Sequence, residues 1–392
     1  MFTKESIIGV VGSGAMGSGI AQVAATAGFT VVIYDNQTAA LEKSKNQLQQ
    51  TLKTLVEKNK ISAEKKDQIL SRITYSDTLT TLSGCALVIE AIVENIDIKK
   101  ALFTALEKIV APSAVLASNT SSLSITALAA ACEKPERFIG IHFFNPATLM
   151  PLVEIIPGIA TSALIANECQ QLINGWGKTT VMAKDTPGFI VNRVARPYYS
   201  EALRIYEEGI ADIPTIDWAM REIGGFRMGP FELMDLIGHD VNYVVTETVW
   251  KQFYFDPKFK PALSQKRLLE GGFLGKKSGK GFYDYNHPES NALAIKDETL
   301  GKMIVNRILC MLINEAADAL YYQIANAEDI DLAMTKGVNY PKGLLKWADE
   351  LGLAHVANTI KSLHEFYEED RYRLSPLIKK HRVSGLGFYH QA

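Results

Sequence analysis

The sequence predicts an α/β nucleotide-binding domain followed by an all-helical domain that occurs twice. Three observations carry that prediction. Between residues 7 and 35 an apolar strand, a glycine-rich turn, a helix, a second strand and an acid follow one another. The strand–helix alternation stops at Asp185-Thr186-Pro187-Gly188, after which the pattern is helical. The segment 192–220 matches the segment 306–334 in register, 114 residues further on. The predicted domains are residues 1–186, 187–290 and 291–392, the third a diverged repeat of the second.

The first strand, Ile7–Val11, feeds Gly12-Ser13-Gly14-Ala15-Met16-Gly17, which opens an alanine-rich helix. The second strand, Thr30–Tyr34, ends at Asp35. A G-x-G-x-x-G turn in this context is a dinucleotide-binding fingerprint of the Rossmann type. Gly12 permits the tight turn, Gly14 lets the backbone approach a pyrophosphate, and Gly17 lets the helix pack close to the sheet. The helix N-terminus then offers unpaired N–H groups to the phosphates. Asp35 suits the ribose hydroxyls of NAD. A 2′-phosphate would meet its charge, and Asn36-Gln37 supplies no arginine, so NAD is favoured over NADP. FAD sites share the fingerprint, so the nicotinamide assignment needs other residues.

Residues 38–66 read as a solvated helical hairpin rich in lysine, some of which could instead meet the phosphates of a large anionic substrate. Residues 86–89 form the next buried strand, with Glu90, Glu94 and Lys99 after it. In such a sheet the carboxyl ends of the strands line the ligand crevice, which places Glu94 well. Residues 115–117 lead into Ser118-Asn119-Thr120-Ser121-Ser122, and residues 139–141 lead into His142.

His142 has three readings: a satisfied core histidine, a metal ligand, or a general base. No cysteine or second histidine stands at ligand spacing, which disfavours a metal, and no metal site is expected. Glu154 lies 12 residues on, inside the apolar run "MPLVEIIPG". A buried carboxylate needs a partner, and an imidazole is the nearest one available. A His–Glu pair suits proton transfer, because the acid fixes the tautomer and stabilises the protonated ring.

Composition narrows the classes further. The formal net charge is −2 and no basic tail or stripe is present, so nucleic acid is not an expected partner. No run of 18 apolar residues suggests a membrane span. Four scattered cysteines without zinc or redox spacing suggest a reducing, cytoplasmic setting.

Taken in order, "GSGAMGSGIA", "EAIVEN", "ASNTSSLSI", "GIHFFNP", "VEII", "KDTPGFIVNR", "MGPFELMDLIG" and "GKKSGKGFYDY" resemble the L-3-hydroxyacyl-CoA dehydrogenase family, over about residues 7–285. The resemblance is to its bacterial 3-hydroxybutyryl-CoA and 3-hydroxyadipyl-CoA branch. It implies all-α C-terminal domains of the 6-phosphogluconate-dehydrogenase-like type behind the NAD-binding domain. By that resemblance His142 is the general base, Glu154 its paired acid, Ser121 a contact to the substrate oxygen, and Asn192 an amide near the acyl chain. Gly12, Gly14, Met16, Gly17, Asp35, Gln37, Glu94, Lys99, Asn119 and Asn145 are the implied NAD contacts. The implied reaction is NAD-dependent oxidation of an L-3-hydroxyacyl-CoA to the 3-oxoacyl-CoA. A catalytically silent NAD-binding module would keep the glycine turn but lack the His142, Glu154, Asn192 and Ser121 set, whereas a structural relative of the same fold could retain it.

In the helical half, Ile190, Val194, Tyr198 and Ala202 fit one amphipathic helix. The repeat also pairs Glu201 with Glu315, Asp217 with Asp331, Gly229 with Gly343 and Gly238 with Gly352. The endings agree as well, "KSGKGFYDY" against "VSGLGFYHQ". The first copy is expected to complete the active site and the second to buttress it. In single-copy relatives the helical domain makes the homodimer contact, so the implied assembly is a homodimer or a pseudo-dimeric monomer. Lys276, Lys277 and Lys280 read as a solvated loop or as contacts to coenzyme A phosphates. Arg227 or Arg193 could meet the distal carboxylate of an adipyl chain, or both could equally make structural salt bridges.

Overall fold

A computed structural model describes residues 2–389, so His390 and Gln391, at the end of the second repeat, lie outside the described residues. The chain divides into two compact units, Met1–Thr186 and Pro187–Ala392. In the first, the elements run β1 (Ile7–Val11), α1 (Ala15–Thr26), β2 (Thr30–Tyr34), α2 (Thr38–Glu57), α3 (Ala63–Ser71), β3 (Ile73–Ser76) and β4 (Cys85–Glu90). There follow α4 (Ile96–Glu107), β5 (Val115–Ser118), α5 (Ile125–Ala129), β6 (Phe138–Phe143), β7 (Leu152–Pro157), α6 (Ala163–Gly175) and β8 (Thr179–Met182).

The eight strands form one sheet in the order β3-β2-β1-β4-β5-β6-β7-β8. Neighbouring pairs are parallel except β6 with β7. The central strands are continuous apolar runs because helices cover both faces, as parallel sheets require. Two edge elements, β3 and β8, have no counterpart in the sequence reading; each is four residues long, too short to show a period. The lysine-rich hairpin extends to Ser71, and Lys65 donates to the carbonyl of Thr26 at 3.2 Å.

The second unit contains α7 (Val191–Val194), α8 (Arg196–Glu207), α9 (Ile213–Trp218), α10 (Pro230–Ile237), α11 (His239–Gln252) and α12 (Leu263–Glu270). It continues with α13 (Glu298–Tyr321), α14 (Ala327–Gly337), α15 (Leu344–Leu351), α16 (Leu353–Tyr367) and α17 (Pro376–Ser384). The single amphipathic helix expected from residue 190 is two helices, α7 and α8. Pro197, in the first turn of α8, has no N–H to continue the ladder. Val194, Tyr198 and Ala202 are buried as the periodicity required.

The two helical copies lie in one compact unit, with α13 packing along α8. The duplication is nevertheless plain in the bonding. Asp217 accepts from the backbone N–H of Phe231 (2.9 Å) and Glu232 (3.0 Å) and from the Tyr283 hydroxyl (2.8 Å). Asp331 accepts from the N–H of Leu345 (2.8 Å) and Lys346 (2.9 Å) and from the Tyr389 hydroxyl (2.9 Å). Each carboxylate thus caps the first turn of the helix that follows, α10 or α15.

The copies also clasp each other reciprocally. Arg193 Nε donates to Glu315 Oε1 at 2.7 Å, and Arg307 Nε donates to Glu201 Oε2 at 3.0 Å. Residue i meeting j while the counterpart of j meets the counterpart of i is the signature of a two-fold interface, here within one chain.

Candidate active site

The glycine turn joins β1 to α1. Gly12 has φ +100°, and a Cβ there would lie 2.6 Å from the carbonyl oxygen of Ala91, so both conformation and space demand glycine. A Cβ on Gly17 would fall 1.9 Å from the Gly12 carbonyl oxygen. A Cβ on Gly14 would meet no atom within 4 Å, which leaves open room above the N-terminus of α1. The residues present therefore fit a dinucleotide: two glycines serve the fold and the third faces space.

Asp35, at the end of β2, holds this turn. Its Oδ2 accepts from the Ser13 N–H at 2.9 Å and hydroxyl at 2.7 Å, and its Oδ1 accepts from the Gln37 N–H at 3.0 Å. Gln37 is exposed just before α2, and Met16 is half-buried against the sheet core.

A second polar group gathers at the ends of β4 and β5. Glu94 Oε1 accepts from the Ser121 N–H (3.2 Å) and the Ser122 hydroxyl (3.0 Å), and also from the Thr120 hydroxyl. Burial alone would raise the Glu94 carboxyl. The Lys99 ammonium, 3.3 Å from Oε2, and the hydrogen bonds from Thr120 and Ser122 outweigh it and hold the group below its ordinary value. Lys99, one of the implied cofactor contacts, lies between two carboxylates. Its side chain is 1 % exposed and pairs with both Glu90 and Glu94, so it anchors carboxylates instead of reaching outward. Glu90, fully buried as the last residue of β4, also accepts from the Ser118 hydroxyl at 2.7 Å. Its place at a strand's carboxyl end was the available signal.

Asn119 follows β5, and its side-chain oxygen accepts from the Phe143 N–H at 2.8 Å, tying this loop to β6. Asn145 is exposed in the connection from β6 to β7. Asp185, which sequence reasoning used only as a domain marker, accepts from the N–H groups of Ile125 (3.0 Å) and Thr126 (2.7 Å) and the Ser124 hydroxyl (3.0 Å). It thereby fixes the start of α5, beyond the serine-rich loop.

His142 lies inside β6 and not after it, because pairing with β7 prolongs the strand to Phe143. In that antiparallel ladder His142 stands directly opposite Glu154. Directly opposed residues share a face with their Cβ atoms about 5 Å apart, so the register alone brings the two side chains together. Nδ1 lies 2.7 Å from Glu154 Oε2, with the imidazole 7 % and the carboxylate 0 % exposed. Phe144 adds an apolar wall, its ring centroid 4.4 Å from that of His142. A register slip of one residue would send Glu154 to the other face of the sheet. Asn192 lies in the second unit, as the half-exposed residue of the otherwise buried α7.

Arg193 is buried and bonded to Glu315, so it is not available to an adipyl carboxylate; Arg227 is exposed. The loop lysines have local partners: Lys277 pairs with Asp240 at 2.5 Å, Lys280 lies 3.4 Å from Asp284, and Lys276 sits over the Tyr285 ring.

A mostly parallel nucleotide sheet, with a glycine turn on its first strand and a buried His–Glu pair on its one antiparallel strand pair, is the frame of an NAD-dependent dehydrogenase. Residues 7–186 match the family described as 3-hydroxyacyl-CoA dehydrogenase, NAD binding domain. The family described as 3-hydroxyacyl-CoA dehydrogenase, C-terminal domain, matches twice, over residues 188–285 and 303–388. The chain belongs to the 3-hydroxyacyl-CoA dehydrogenase family and is an enzyme that uses NAD. It is 37 % identical to the 3-hydroxyadipyl-CoA dehydrogenase of Escherichia coli, over 99 % of this chain and 100 % of that one. It is 42 % identical to the mitochondrial hydroxyacyl-coenzyme A dehydrogenase of Sus scrofa, over 70 % of this chain and 90 % of that one. The crystal structure of 3-hydroxybutyryl-CoA dehydrogenase from Escherichia coli superposes with a TM-score of 0.93 at 36 % identity, covering 97 % of this chain and 99 % of that one.

Proposed function

We propose that the enzyme oxidises the 3-hydroxyl of short-chain L-3-hydroxyacyl-CoA thioesters, 3-hydroxybutyryl-CoA and the dicarboxylic 3-hydroxyadipyl-CoA among them. The observation that carries the chemistry is the buried contact between His142 Nδ1 and Glu154 Oε2. With the carboxylate accepting from Nδ1–H, the neutral ring presents the Nε2 lone pair, which takes the substrate's hydroxyl proton. Glu154 then stabilises the imidazolium until the proton leaves. Ser121 orients the reacting oxygen, and Asn192 contacts the acyl chain near the reacting carbon. Gly12, Gly14, Gly17, Asp35, Glu94, Asn119 and Asn145 would hold the cofactor, Lys99 keeping Glu94 in place. NAD+, when bound, supplies the hydride acceptor.

The choice of acyl chain rests on relatives that match over the whole chain, second helical copy included; their names specify 3-hydroxyadipyl-CoA and 3-hydroxybutyryl-CoA. The reciprocal ion pairs support a monomer whose two helical copies occupy each other's contact surface. The free state of Cys85, Cys132, Cys169 and Cys310 supports the proposed reducing, cytoplasmic setting.

The test is NADH formation from L-3-hydroxybutyryl-CoA and 3-hydroxyadipyl-CoA side by side, with NADP+ as control. Turnover of both with NAD+ alone is the expected result. No turnover of either, with NADH still bound, would overturn the substrate assignment.

A further inference from the structure

Asn192 sits on a short turn of helix: α7 has four residues and joins α8 through Ala195, and Pro197 in the first turn of α8 has no N–H to carry the ladder across the joint. The chain enters it through Gly188 at φ +75° and Phe189 at φ +47°. Phe189 is 1 % exposed, and the left-handed region is unfavourable for such a residue, so the entry is held there by its surroundings. The Arg193 N–H, donating to the Gly188 carbonyl at 3.1 Å, ties this entry to α7. Arg193 Nε donates to Glu315 Oε1 at 2.7 Å, and its guanidinium lies 5.0 Å from the Phe253 ring centroid and 5.7 Å from that of Tyr322. Glu315 belongs to α13, a helix of 24 residues, and its other oxygen lies 3.5 Å from the Lys258 ammonium, which also pairs with Asp318.

The second copy lacks the reason for such a tether. Asn306, the counterpart of Asn192, is embedded in α13 itself, with regular helix on both sides. The reciprocal pair, Arg307 with Glu201, is equally buried yet has no short helix to steer. A buried ion pair is a poor source of stability compared with apolar packing, but it fixes geometry. We infer that Glu315, contributed by the second helical copy, is a positioning residue: through Arg193 it sets the orientation of α7 and hence of Asn192. This rests on the proposed contact of Asn192 with the acyl chain. The second copy then belongs to the catalytic apparatus as well as to the fold.

The experiment compares Glu315→Gln with Glu201→Gln, alone and, for Glu315, combined with Asn192→Ala, using 3-hydroxybutyryl-CoA and NAD+. Misplacing a group by about an ångström costs on the order of tenfold or more in the chemical step. Glu315→Gln should therefore lower kcat by about tenfold with KM for NAD+ unchanged. Glu201→Gln should keep kcat within about twofold at a comparable loss of melting temperature. In the Asn192→Ala background, Glu315→Gln should cost less than about twofold further, because the two act through one interaction. Equal kcat losses in the two glutamine variants, or effects that multiply in the double variant, would overturn the inference. So would an impaired Asn192→Ala beside a fully active Glu315→Gln, which leaves the role of Asn192 standing. An unimpaired Asn192→Ala removes that role and the inference with it. Should Glu315→Gln fail to fold, Arg193→Lys keeps the charge, loses the planar fork and enters the same double variant.

Discussion

Replacing Glu154 by glutamine removes the charge of the dyad while preserving its shape. Oε2 lies 2.7 Å from His142 Nδ1, both side chains are buried, and the β6–β7 register fixes both backbones. When the imidazole takes the substrate's proton, a full positive charge forms beside that carboxylate. Unit charges about 4 Å apart attract by about 4 kcal/mol at an effective dielectric near 20. The glutamine oxygen still accepts from Nδ1–H, which restores roughly 1 kcal/mol. The remaining loss of about 3 kcal/mol corresponds to a kcat lower by about two orders of magnitude. The assay is steady-state NADH formation from 3-hydroxybutyryl-CoA, with KM for NAD+ measured in parallel. Charge acts on the chemical step, so KM for NAD+ should stay within about twofold. A Glu154→Gln enzyme with kcat within about threefold of the parent would refute the electrostatic role. Parallel loss of kcat and cofactor affinity would show that the pair serves the fold.

The glycine turn separates folding from binding. Gly17→Ala, whose Cβ meets the Gly12 carbonyl oxygen, should lower the melting temperature by on the order of 10 °C, at about 2–4 °C per kcal/mol. Gly14→Ala, whose Cβ meets open space, should leave the melting temperature unchanged and weaken NAD+ in a fluorescence titration; equal thermal losses would contradict the division. Glu94 is held below its ordinary value of 4.5, so its contribution to stability is full above that pH and is lost as pH falls through the lower folded value. Urea midpoints of the parent and Glu94→Gln should therefore differ at neutral pH and converge in acid. A difference independent of pH would refute that sign.

Much of the first unit was legible because its chemistry is local in sequence. The turn at residues 12–17, the acid at Asp35 and the strands around them follow from residue types at fixed spacing. The His142–Glu154 pair was legible for another reason: a lone acid in an apolar run demands a partner, and the nearest histidine was 12 residues away. What sequence did not show was the mechanism of their meeting. Antiparallel pairing of β6 with β7 is a register fact, and no residue type announces register. The pairing of Lys99 was illegible for a similar reason. A lysine near a strand's end looks like an anion contact, and only three-dimensional placement between Glu90 and Glu94 turns it into an internal counter-charge.

The duplication shows the same limit from the other side. Matching residues 114 apart revealed two copies, but one sequence aligned on itself cannot say whether the copies touch. The reciprocal bonds Arg193–Glu315 and Arg307–Glu201 answer that, and they expose an asymmetry that the aligned residues conceal. Asn192 and Asn306 occupy equivalent positions, yet one lies on a four-residue helix after a left-handed turn and the other within 24 residues of continuous helix. Identical residue types in equivalent positions thus face different demands. A duplicated domain that has lost its own nucleotide sheet is free to straighten its helix. The copy that keeps a half-exposed amide at its entry must instead have that entry held from outside, and Glu315 on the straightened helix is placed to hold it.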